Sequence, residues 1–140
     1  MRRRFLFYSL LTVCLLTACA EEEQNPLPYV RVDFSVSKFH PALMNGLSAR
    51  VQEGYSGYNR HGVIIVPPVF GSDYLAFDAT CTRNIKEELA AINVDGGGFT
   101  ATCPKCNTVY NLLTGYAQNQ TFHLQRYKAY ESNDRIYVTN

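Results

Sequence analysis

Cys81, Cys103 and Cys106 close two tight loops set between short β-branched runs, and this spacing constrains the fold more than any other feature. The loops read Asp78-Ala-Thr-Cys81-Thr-Arg-Asn84 and Ala101-Thr-Cys103-Pro-Lys-Cys106. Facing cysteine loops are the usual frame of a metal or cluster site, because thiolates are soft ligands for zinc and iron–sulfur centres. Such sites take four ligands, and only three thiols stand in these loops.

The surrounding sequence reads as strands. Val30 to Val36 alternates apolar and polar residues, the period of a half-buried strand. Ala49 and Val51 mark another, and Gly62-Val-Ile-Ile-Val66 is a β-branched run expected to be a buried central strand, closed by Pro67-Pro68. Asp73 to Ala79 is expected to deliver the first cysteine at its end. Lys86 to Ile92 is the one helix-compatible stretch. Phe99 to Thr102, Thr108 to Tyr110 with Leu112-Leu113, Phe122 to Tyr130 and Arg135 to Val138 read as further strands, the last two joined by Glu131-Ser-Asn-Asp134. Asp95-Gly-Gly-Gly98 is a turn and not a phosphate loop, since no helix follows it. Many short strands with regular turns predict an all-β sandwich or barrel.

The N-terminal region reads as an address. Arg2, Arg3 and Arg4 precede an apolar run from Phe5 to Leu16 that is too short to span a bilayer. It ends in Leu16-Thr17-Ala18-Cys19, which resembles the lipobox of bacterial lipoproteins and implies lipid on Cys19. Glu21-Glu22-Glu23 resembles the acidic surface-export signals of Bacteroidetes lipoproteins, or is simply a solvated tether. The Arg-Arg-x-Phe-Leu spacing fits a twin-arginine signal, although a generic basic leader explains it better. The expected organisation is a signal peptide over 1–18, a lipidated tether over 19–28 and a β domain over 29–140. The expected location is the outer membrane, facing the periplasm or the exterior.

Cleavage removes Cys14 with the signal, and the three leading arginines leave with it. The formal net charge of +1 then becomes −2, with 10 basic and 12 acidic residues. No basic patch remains for nucleic acid, so the one partner expected is the membrane, through Cys19. No protein or small-molecule partner is legible. His40, His61 and His123 are scattered and read as structural or surface residues, and no nucleophile elbow or comparable catalytic signature is present.

The order of strand, Cys81 loop, strand, Cys103-x-x-Cys106 loop, strand and hairpin resembles the Rieske iron–sulfur fold over roughly Gly62 to Val138. The stretches that carry it include Leu75-Ala-Phe-Asp-Ala-Thr-Cys81, Thr102-Cys103-Pro104, Tyr110-Asn-Leu-Leu-Thr-Gly115 and Ile136-Tyr-Val138. The resemblance implies a small all-β Rieske-like sandwich or barrel with a two-loop cysteine subdomain. In that family C-x-H and C-x-x-H loops hold a [2Fe–2S] cluster, with two cysteines on one iron and two histidines on the other. Cys81 and Cys103 match the cysteine ligands. Arg83 stands where the first histidine belongs and Cys106 where the second belongs. Asn107 replaces a glycine that follows the second histidine, and tolerates a left-handed backbone. Thr108 keeps the hydroxyl of a serine that bonds the cluster. The covering proline loop is replaced by Gln118-Asn-Gln-Thr121.

Arginine offers no lone pair to iron, so the family's usual ligand set is ruled out. The leading expectation is therefore a degenerate site without cofactor, in a non-enzymatic binding or structural module. The family geometry puts Cys81 and Cys103 on one iron, which implies them as a disulfide pair. Cys81–Cys106 and Cys103–Cys106 are the rival pairings. A loop-closing disulfide here is worth about 3 kcal/mol. The alternatives are electron transfer or metal binding at Cys81, Cys103 and Cys106. The site would hold an altered [2Fe–2S] centre, or zinc completed by water or His123 in a frame with Asn84 at the missing position. A thiol–disulfide oxidoreductase using Cys103-Pro-Lys-Cys106 is a third class, although a redox C-x-x-C ordinarily opens a helix.

Overall fold

Short β-branched and aromatic runs become strands throughout the computed structural model, which describes residues 26–54, 56–83, 85–86, 89–119 and 121–140. The signal, Cys14, Cys19 and most of the tether lie outside the described residues, as do Asn84, Glu87 and Glu88. In order the strands are β1 (Asp33–Ser37), β2 (Ala49–Val51), β3 (Val63–Val66), β4 (Leu75–Asp78) and β5 (Asn93–Val94). They continue with β6 (Thr100–Thr102), β7 (Val109–Asn111), β8 (Arg126–Ser132) and β9 (Arg135–Thr139). One single-turn 3-10 helix covers Tyr58–Arg60. All strand pairs are antiparallel. The chain is all-β, as its pattern predicts.

Two sheets form. A six-stranded sheet has the order β1-β9-β8-β4-β3-β2, and a three-stranded sheet has the order β5-β6-β7. The smaller sheet carries the second cysteine loop. The β8–β9 hairpin turns on Asn133 and Asp134, both with positive φ, in the left-handed conformation that two-residue hairpins favour.

β3 explains how the layers meet. Its four residues are all buried. Because strand side chains alternate, Ile64 and Val66 enter one core with Phe77, Ile92, Tyr110 and Leu112. Val63 and Ile65 enter a second core with Val32, Val36, Tyr127, Ile136 and Val138. The continuous apolar run thus reflects burial on both faces. It does not make β3 central, as its hydrophobicity predicted, for it lies between β4 and β2, one strand from the edge.

Two local expectations change, and one strand is added. The helix-compatible stretch from Lys86 to Ile92 is not helical at any described residue: Lys86 lies in a turn, Ala91 bridges Thr80, and Ile92 is fully buried. The Cys81 amide donates to the Ala90 carbonyl at 2.9 Å, so tertiary pairing overrides a weak helical preference. β5 is too short to show alternation in sequence. Leu112 and Leu113 leave the strand for a turn closed by the Gly115 amide on the Asn111 carbonyl at 2.7 Å. Gly115 has φ of 83°, and a Cβ there would stand 2.7 Å from the Phe77 ring, so the turn packs flat on β4 only with glycine.

Candidate metal centre

The first cysteine loop is aimed by the carboxylate that ends β4. Asp78 is fully buried. Its Oδ2 accepts from the Tyr58 amide at 2.6 Å and the Tyr127 hydroxyl at 2.7 Å, and its Oδ1 accepts from the Thr80 amide at 2.9 Å. A buried carboxylate needs such donors to replace water. Burial, and then the Asp78 carboxylate, push the Tyr127 hydroxyl pKa upward, so Tyr127 remains a donor. Thr80 also contacts His61 Nδ1 through its hydroxyl at 2.9 Å. Cys81 is therefore placed three residues beyond a pinned strand end.

The second loop is a reversal between β6 and β7. The Cys103 amide donates to the Thr108 carbonyl, and the Asn107 amide donates to the Cys103 carbonyl, both at 2.9 Å. Asn107 has φ of 55°, the left-handed conformation anticipated where the family has glycine. On β7 and at its two ends the buried positions alternate as Thr108, Tyr110 and Leu112. This puts a hydroxyl, a phenol and an apolar side chain in line behind the loop.

The two loops bring Cys81, Cys103 and Cys106 together, with all three Sγ atoms within 4.8 Å of one another. Cys81 and Cys106 Sγ are 3.6 Å apart. Cys81 and Cys103 are buried, Cys106 is partly exposed, and all three are free thiols. Thiolates about 2.3 Å from one zinc ion stand about 3.8 Å apart in a tetrahedron and about 4.0 Å apart in a trigonal plane. The sulfur separations therefore suit a single ion. Among the described residues no fourth Cys, His, Asp or Glu joins the three sulfurs. His123, one expected completing ligand, instead lies against Tyr116 with ring centroids 5.4 Å apart and is near the Leu124 carbonyl. Asn84 lies outside the described residues.

The surrounding polar groups treat the Cys81 and Cys106 sulfurs differently. Burial pushes the Cys81 thiol up to about 11, despite a hydrogen bond from Tyr110. Burial also acts to raise Cys106. There, hydrogen bonds from the Thr108 hydroxyl and amide, and from Cys103 and Cys81, together outweigh it and hold the thiol down at about 7. Arg83 Nη1 donates to Thr108 Oγ1 at 3.2 Å and to the Cys106 carbonyl at 3.5 Å. With its oxygen accepting from Arg83, the Thr108 hydroxyl can turn its hydrogen to Cys106 Sγ, 3.1 Å away. Arg83 thus ligates nothing but polarises the donor that steadies an anionic sulfur. Tyr110, to which sequence reasoning gave no role, has its hydroxyl 3.4 Å from Cys81 Sγ and accepts from the Thr82 amide at 3.2 Å. The inward alternation of Thr108, Tyr110 and Leu112 was the signal that could have found it.

No protein-family model matches the chain, and no curated protein does. Solved structures of similar shape include a chain from the complex of reduced oxygenase and oxidized ferredoxin in carbazole 1,9a-dioxygenase. It is 18% identical with a TM-score of 0.49, covering 79% of this chain and 94% of that one. The ferredoxin of carbazole 1,9a-dioxygenase from Nocardioides aromaticivorans IC177 is 13% identical with a TM-score of 0.47, over 79% of this chain and 98% of that one. The E. coli protein NirD is 12% identical with a TM-score of 0.48, again over 79% and 98%. These are similarities of chain path at low identity.

Proposed function

We propose that this chain is a membrane-tethered, non-enzymatic binding domain on a Rieske-like frame. Cys81, Cys103 and Cys106 hold one soft metal ion where the family holds a cluster. The observation that carries the reading is the convergence of three free thiols within 4.8 Å. Soft cations are the partners such thiols select. The frame is supported by the residue-level resemblance around both loops, and the substitution of Arg83 for a ligand argues against two irons. The tether reading rests on the lipobox-like segment at Cys19.

The test is elemental analysis and native mass spectrometry of protein purified under reducing, oxygen-free conditions. One metal ion per chain, no acid-labile sulfide and three cysteines shielded from alkylation until chelator is added are expected. Two irons with sulfide, or a metal-free chain, would sink the reading. The same spectrum reports whether lipid is attached at Cys19. A second reading is favoured by the 3.6 Å approach of Cys81 and Cys106, which closes to a disulfide if the sulfurs move to about 2.05 Å. Peptide mapping of protein kept in air identifies that pair.

A further inference from the structure

Resting on the metal-site reading above, we propose that the ion is monovalent copper, held by the three thiolates alone. The donor set is the first reason. Among the described residues only the three sulfurs converge, and His123 is engaged elsewhere. Structural zinc is almost always closed by four ligands, whereas copper(I) is the softer ion and is satisfied by thiolates. Three sulfurs around one point are a complete shell for copper(I) and an incomplete one for zinc.

Burial is the second reason. Cys81 and Cys103 are 2% and 1% exposed and belong to the apolar core with Ile92, Ala101, Tyr110 and Leu112. Apolar side chains therefore line that side of the site, which disfavours a water held there as the fourth ligand of zinc. Charge is the third. Each ligating thiol releases its proton to solvent, so three thiolates and one monovalent cation carry two negative charges. Arg83 stands beside the second loop, bonded to Thr108 Oγ1 and the Cys106 carbonyl, and supplies a fixed opposing charge.

The experiment loads the reduced, metal-free mature chain without oxygen, using copper(I) supplied as its acetonitrile complex in competition with zinc(II). One copper per chain is expected, retained against bathocuproine, with an X-ray absorption shell of sulfur only. Copper(I) should displace zinc, and zinc should not displace copper(I). Arg83→Met should weaken copper(I) binding about tenfold, with Arg83→Lys restoring most of it. Retention of zinc against copper(I), or an oxygen or nitrogen atom in the shell, overturns the copper assignment and leaves the metal site standing. Binding of neither ion overturns the site itself. Unchanged affinity in Arg83→Met removes the charge argument.

Discussion

Two thiols 3.6 Å apart are shifted in opposite directions, Cys81 up to about 11 by burial and Cys106 down to about 7 by the Thr108 hydrogen bonds. Only the thiolate is nucleophilic, so alkylation follows the deprotonated fraction. In reduced, metal-free protein, iodoacetamide should label Cys106 well before Cys81 at pH 7.5. The Cys106 rate should rise with pH and reach half its maximum at about pH 7. Peptide mapping at timed quenches measures both, and faster labelling of Cys81 would show that burial does not govern the pair. Arg83 was legible in sequence as a residue that cannot ligate, because that follows from the guanidinium itself. Its bond to Thr108 was not legible, since it depends on how two loops 25 positions apart face each other.

At the scale of elements, the site depends on the end of β4. Tyr127 on β8 donates to Asp78 across 49 positions of sequence, while Tyr58 and Thr80 donate locally through their amides. Tyr127→Phe removes one of three donors from a buried carboxylate. It should cost about 2 kcal/mol in urea unfolding, the range for hydrogen bonds to charged groups. A loss below about 0.5 kcal/mol would mean that water replaces the phenol. Strands with clear alternation or β-branched runs, such as β1, β3 and β9, were legible in sequence. β5 and the segment from Lys86 to Ile92 were not. Two residues show no period, and in the latter segment the Ala90 carbonyl accepts from the Cys81 amide while the Ile92 amide donates to the Ala79 carbonyl.

Over the whole molecule, two cores share β3 and β4. One contains the cysteine subdomain and the other joins β1, β8 and β9 to the sheet. Metal loading should therefore slow amide hydrogen exchange in β5 to β7 and both cysteine loops. It should leave β8 and β9 unchanged, read by mass spectrometry with and without ion. A uniform change through both sheets would show one cooperative unit instead. By itself the sequence determined the all-β class, the placing of the cysteines in two loops and the fact that Arg83 offers no ligand atom to a metal. These follow from side-chain period and from the chemistry of single residues. Only the tertiary structure decided that the three sulfurs meet at one point, that His123 stays away, and that Arg83 acts through Thr108. Those outcomes depend on distances between segments far apart in the chain, which packing on the two faces of β3 and β4 sets.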